Sequence, residues 1–181
     1  TRKAANEAKE RACERFGLDL RSDLPYFRTM HSLAFHLTGL KSEQLMQSEH
    51  YREIESRIGF ELVSTAARQD EVDENLSSAL RKESEVLRLI TLARLKMMPL
   101  QQLYNQSSIQ QSWREVDYVA RAVAEYKNIH GLYDYTDMLE LFSEMGPNVC
   151  PRFKIAMLDE AQDLSPLQWK IAHVIDDKSE R

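Results

Sequence analysis

The residues best suited to chemistry lie near the end of the chain, in Asp159-Glu160-Ala161-Gln162-Asp163. They follow directly on an apolar run, Phe153-Lys154-Ile155-Ala156-Met157-Leu158. Such a run reads as a strand buried on both faces of a parallel sheet. Ligands of open α/β sheets gather at the carboxyl ends of strands, which puts Asp159 and Glu160 at that edge. One carboxylate can hold Mg²⁺, with waters and a nucleotide phosphate completing its shell. A neighbouring carboxylate can orient or deprotonate the water that attacks in phosphoryl transfer. Two acids after an apolar run are also a common solvated strand end, and the pair alone does not decide between the two.

The elements around the acids must position them. Ser165-Pro166-Leu167-Gln168 reads as a helix start: Ser165 suits the N-cap, Pro166 the first helical position, and Gln168 completes a capping box. Leu167, Ile171 and Val174 supply the apolar face of the helix that follows. Strand, acidic loop and helix therefore stand in the order that a nucleotide-hydrolysing core requires.

Bulk properties bound the rest. The chain has 181 residues, 43% apolar and 29% charged, with a net charge of −5. That length suits one domain, or a core with a sizeable insertion. The acidic balance gives no global electrostatic case for nucleic acid, although a local basic patch can still bind phosphates. No apolar stretch approaches the ~20 residues of a membrane-spanning helix, so no membrane partner is expected. Cys13 and Cys150 stand far apart and are expected as reduced thiols. The five histidines show no metal-site spacing, and there is no Cys-x-x-Cys, so no structural zinc site is expected.

Residues 1–16 read as a helix stopped by Gly17. Thr1, Arg2 and Lys3 stand at its start, where hydroxyls and amides can meet phosphates; an amphipathic surface helix explains the same residues. Tyr26-Phe27-Arg28 is a short strand candidate. Thr29-Met30-His31-Ser32 then opens a helix ended by Gly39. Its hydroxyl and imidazole groups are either donors to a nucleic-acid backbone or a capped turn with a satisfied histidine. From residue 41 no strand pattern is convincing. A long helix is predicted over Val72–Met98, a Gln/Asn-rich connection over 99–107, and a strongly periodic helix over 108–129 carrying Ile109, Trp113, Val116, Ala120 and Val123 on one stripe. Asp134 to Asp137 caps a further helix, which Gly146-Pro147 is expected to break.

Four segments together resemble the superfamily 1 DNA helicases of the UvrD/Rep type. Leu158 to Asp163, followed by Leu164-Ser165-Pro166-Leu167-Gln168, resembles that family's motif II. Thr1-Arg2-Lys3-Ala4-Ala5 resembles motif Ia, and Phe27-Arg28-Thr29-Met30-His31-Ser32-Leu33-Ala34 resembles motif Ib. Asp134-Tyr135-Thr136-Asp137-Met138-Leu139 resembles the Asp-Phe-x-Asp-Leu-Leu segment before motif II. All four occur in the family's order, and about half of the chain carries no family-specific residue. The Gln within Asp-Glu-Ala-Gln-Asp sets the chain apart from Asp-Glu-Ala-Asp RNA helicases, and the Ala161 variant is similar to phage or divergent bacterial members.

The resemblance implies an α/β fold: part of a RecA-like P-loop NTPase core with a parallel sheet, carrying a mostly α-helical inserted subdomain. Residues 1–40 and 132–181 would form the core, and 41–131 the insertion. It implies an ATP-dependent DNA helicase of DNA repair or replication, working 3′ to 5′ on single strands and at single-strand/duplex junctions. The setting would be the cytoplasm of a bacterial cell or phage-infected host. ATP and Mg²⁺ would be the cofactors, with Asp159 on the metal, Glu160 activating water, and Gln162 linking nucleotide state to neighbouring motifs. Thr1, Arg2, Thr29, His31 and Ser32 would contact DNA. The phosphate-cradling Gly-x-x-x-x-Gly-Lys-Ser/Thr is absent from these residues and is expected upstream of Thr1, with a second RecA-like domain downstream of Arg181; the 181 residues alone are expected to be inactive. Three alternatives remain: a helicase-nuclease subunit, another P-loop NTPase, and a non-catalytic binding module. The last is distinguished by whether residues 1–5 and 26–34 converge beside Asp159.

Overall fold

The computed structural model describes residues 2–19, 22–63 and 84–180, with the backbone alone at residues 2–5. Eight α-helices run through the described residues: α1 Arg2–Phe16, α2 Met30–Thr38, α3 Ser48–Ile58, α4 Glu85–Leu95, α5 Leu100–Gln106, α6 Trp113–His130, α7 Tyr135–Val149 and α8 Pro166–Asp176. Side-chain oxygens define most of their starts. Thr29, Ser84, Ser112, Asp134 and Ser165 each accept a backbone N–H from the first turn, satisfying donors that a helix start otherwise leaves open. Ser112 with Glu115, and Ser165 with Gln168, close reciprocal capping boxes. Gly39 and Gly131 end α2 and α6 with φ of 72° and 63°, a left-handed conformation that side chains with a Cβ rarely adopt.

The parallel sheet expected from the apolar run is not formed. The described residues contain no strand, only two isolated parallel bridges, Leu45 with Tyr133 and Phe153 with Ser179. Phe153 donates its N–H to the Lys178 carbonyl at 2.9 Å and accepts from Glu180 N–H at 2.9 Å. The rest of the run is irregular, with Ile155 72% and Met157 87% exposed. The physical reason is that a strand exists only through its neighbours. The one other candidate, Tyr26-Phe27-Arg28, is taken up by a turn in which Phe27 N–H reaches the Leu24 carbonyl. The RecA-like parallel sheet is therefore corrected, over the described residues, to a predominantly helical architecture.

Other expectations are adjusted locally. Ser84 caps α4, so no single helix covers Val72–Met98; residues 72–83 lie outside the described set. The connection predicted over 99–107 holds α5, because Pro99 supplies a compatible φ of −55° and Leu103 is buried. Gly146-Pro147 does not break α7, which continues to Val149. Proline removes one helical hydrogen bond, a loss that is tolerated two residues before the last residue of the helix.

Two apolar clusters hold the molecule. One joins α3, α4, α5 and α6 through Ile54, Val86, Leu89, Leu103, Val116 and Val119. The other joins α2, α7 and α8 through Ala34, Met138, Leu139, Phe142, Leu167 and Ile171. Helix α7 is central to the second, packing along both α2 and α8. At Gly146 the approach to α8 is so close that a Cβ would lie 2.6 Å from Val174 Cγ1.

Candidate nucleotide and nucleic-acid site

The acidic loop is anchored at both ends. The Phe153 bridge holds its start, and the Ser165 cap of α8 holds its end. Between them, Ala161–Asp163 forms one 3-10 turn. Glu160 enters that turn with φ 52° and ψ 39°, left-handed values that cost a non-glycine residue about 1–2 kcal/mol. Two local bonds offset this cost: Asp159 Oδ1 accepts Glu160 N–H at 3.1 Å, and Gln162 Nε2 donates to Glu160 Oε2. Asp159, Glu160 and Gln162 are all exposed. Gln162 thus fixes one oxygen of Glu160 and leaves the other free to accept from water. Two adjacent carboxylates suit a hydrated Mg²⁺ and an oriented water. Among the described residues no group of three or more His, Cys, Asp or Glu is arranged to hold a metal ion.

The second expected cluster lies at the start of α2. Thr29 Oγ1 accepts Ser32 N–H at 3.2 Å, which leaves the Thr29 hydroxyl proton available to a phosphate oxygen. His31 turns inward, with its ring edge-to-face with Tyr135 at 6.2 Å between centroids. Burial lowers its imidazole to about 4, so at neutral pH it is uncharged and offers a phosphate no positive charge. Thr1 lies outside the described residues; Arg2 sits in the first turn of α1, and its side chain is not described. One aromatic contact links the segment before α2 to the start of the acidic segment, six residues before Asp159. Tyr26 stacks edge-on against Phe153 at 5.2 Å, at the start of the acidic segment. His31 also lines the same groove as Gln168, the residue that closes the cap of α8.

Sequence reasoning missed a cluster of charges where α4, α6 and α7 meet. Arg94, in the last turn of α4, donates from Nη1 to Asp134 Oδ2 at 2.8 Å and from Nη2 to Asp137 Oδ1. It also grips Glu140 with both Nε (3.1 Å) and Nη2 (2.7 Å). Lys127, in the last turn of α6, reaches Asp134 Oδ2 and Asp137 Oδ2, both at 2.6 Å. Burial alone would raise the Asp134 carboxyl, but the charges of Arg94 and Lys127 and its hydrogen bonds hold it at about 2. For Arg94, burial opposes the charge, yet the bond to Glu140 and the three carboxylates raise its pKa further above the usual guanidinium value. Asp134 and Asp137 were legible as a helix cap, but Arg94 stands 40 residues before Asp134, and no local pattern joins them.

The order of these segments, with a hydroxyl-capped helix start, an Asp-x-x-Asp helix start and an exposed Asp-Glu turn, is that of a superfamily 1 helicase chain. The chain belongs to the UvrD/REP helicase N-terminal domain family, whose model matches residues 1–181. Comparison with curated proteins and with solved structures finds no match. Membership makes the parent a helicase and DNA its expected class of partner. Among the described residues no helix is long and apolar enough to cross a membrane.

Proposed function

We propose that this chain belongs to an ATP-dependent DNA helicase that translocates 3′ to 5′ on single strands and opens duplex at junctions. The observation that carries the proposal is the family match over residues 1–181, together with two exposed carboxylates in a constrained turn at the position of motif II. Asp159 would hold Mg²⁺, and Glu160, fixed by Gln162, would orient the hydrolytic water. Bound MgATP supplies the phosphoryl group and the charge that these residues act on. Thr29 and Ser32, with Thr1 and Arg2, would contact the DNA backbone, giving little sequence preference. His31, being neutral, would take part as a hydrogen-bonding or packing group. In this reading residues 1–40 and 132–181 work as one unit and 41–131 as a helical insertion; the two separate apolar clusters support that division. A role in repair or replication, in a bacterial cell or a phage-infected host, belongs to the same proposal.

The 181 residues contain no Gly-x-x-x-x-Gly-Lys-Ser/Thr, so they include no phosphate cradle of that type and alone should hydrolyse no ATP. In the full-length protein, Glu160→Gln should lower turnover by about 10²–10⁴-fold, the usual scale for loss of a general base. ATP binding, followed with a fluorescent analogue, should be spared. Near-normal hydrolysis by the mutant would overturn the assignment.

A further inference from the structure

Three helix ends converge on the Arg94 cluster. The C-terminal turns of α4 and α6 bring Arg94 and Lys127, and the N-terminal turn of α7 brings Asp134 and Asp137. Each charge sits at the helix end whose dipole it complements. Helices α4 and α6 belong to one apolar cluster and α7 to the other, so the cluster of charges spans the seam between them. That seam is not a continuous core. A groove of about 880 Å³ runs along it, lined by Ile90 and Val123 on one side and by His31, Tyr135 and Gln168 on the other. Leu95 of α4 also packs against the second cluster, so the ion pairs of Arg94 and Lys127 join an apolar contact in tying the two sides.

We propose that Arg94 is a positioning residue: it clamps the helical block to α7 and so fixes the block relative to both the DNA-facing start of α2 and the acidic loop before α8. This rests on the helicase reading above. Helix α7 packs on α2 and on α8, so its orientation is common to both candidate sites. Arginine is suited to this role because its planar fork engages three carboxylates at once, which an ammonium cannot reproduce. Two cations face three carboxylates. Removing Arg94 takes away the ionic tie between α4 and α7 and leaves three carboxylates of α7 with Lys127 as the one remaining cation of the cluster, so the α4 side of the seam loosens.

The test uses the full-length protein, with spin labels on cysteines introduced at exposed Arg114 on α6 and Lys170 on α8. Arg94→Met should broaden the label-to-label distance distribution, and Arg94→Lys should restore it in part. Basal ATP turnover should stay within about twofold while stimulation by single-stranded DNA falls about tenfold, in the range of coupling energies carried by such networks. A purely structural role would lower both rates together or neither. An unchanged distance distribution in Arg94→Met overturns the proposal, as does a parallel loss of basal and stimulated turnover. If Arg94→Met does not fold, Glu140→Ala decides: it removes the two-point grip at the more exposed end of the cluster, and it too must broaden the distances. A wild-type protein without DNA-stimulated hydrolysis would refute the helicase reading, while the distances would still decide whether the clamp exists.

Discussion

Replacing Asp134 by asparagine isolates the charge at the centre of the seam. Asparagine caps helices as well as aspartate does, so its oxygen can still accept the Thr136 and Asp137 N–H groups, now at 2.8 and 2.7 Å. What changes is the other oxygen, which faces Arg94 Nη1 and Lys127 Nζ. An amide nitrogen there turns a donor onto two donors. Asp134 is held at about 2, against an ordinary 3.8, and its side chain is only 16% exposed. At about 1.4 kcal/mol per pH unit, that difference corresponds to about 2–3 kcal/mol of stability at neutral pH. Because the folded-state value is depressed, the contribution is present above pH 4 and is lost as the pH falls from about 4 to about 2. Urea unfolding followed by Trp113 and Trp169 fluorescence should show Asp134→Asn less stable by at least about 2 kcal/mol at pH 7, with the gap to wild type narrowing towards pH 2. A penalty below about 0.5 kcal/mol at pH 7 would refute the reasoning, as would a gap that does not narrow in acid, since solvent-exposed pairs contribute on that smaller scale.

Two further perturbations probe the second cluster. Gly146→Ala should destabilise by about 1–3 kcal/mol despite alanine's better helix propensity, because the added methyl meets a branched, stiff valine. Val174→Ala in the same chain should cancel most of the cost, and strictly additive effects in a double-mutant cycle would dismiss the clash. Cys150 is buried, and burial pushes its thiol up, opposed by Lys178. It should therefore react slowly with a thiol reagent at pH 8 in the native protein and rapidly in denaturant; equal rates in both would show that the packing around α7 is wrong.

Local chemistry was legible where a few adjacent residues decide it. Asp134 and Ser165 announce helix starts, and Thr29 or Ser32 a third, because a short oxygen-bearing side chain can reach amides two or three residues on; Asp134, Ser165 and, of that pair, Thr29 act as caps. The stripe from Ile109 to Val123 marks α6 correctly, yet the helix begins at Trp113, since the Ser112–Glu115 box overrides the period and leaves Ile109 packed from outside. What failed depended on partners far along the chain. An apolar run names neither the strand that must pair with it nor whether one is present. The charges of Arg94 and Lys127 are unremarkable in sequence and become a cluster only because three helix ends meet. The neutral state of His31 follows from a groove that its own neighbours do not reveal.

The acidic loop shows how chemistry and architecture separate. Nothing among the described residues pairs with Ile155, Ala156 or Met157, and yet Asp159 and Glu160 are held in a defined turn. The constraint comes from the loop's two ends. Phe153 is fixed by its bridge to the segment after α8, and Ser165 by its cap on the start of α8. Both anchors therefore refer to one helix, and α8 itself is seated on α7 through Gly146 and Val174. A shift of α7 can reach the carboxylates through α8 as well as along the chain from Val149 to Phe153. The first turn of α7 is where Arg94 and Lys127 hold on, so the charge cluster and the acidic loop are two ends of one mechanical path. On the helicase reading, a change at the seam should thus alter how DNA binding is felt at Glu160 before it alters the local chemistry of Glu160, whose left-handed turn is held by Asp159, Gln162 and the Asp163 N–H.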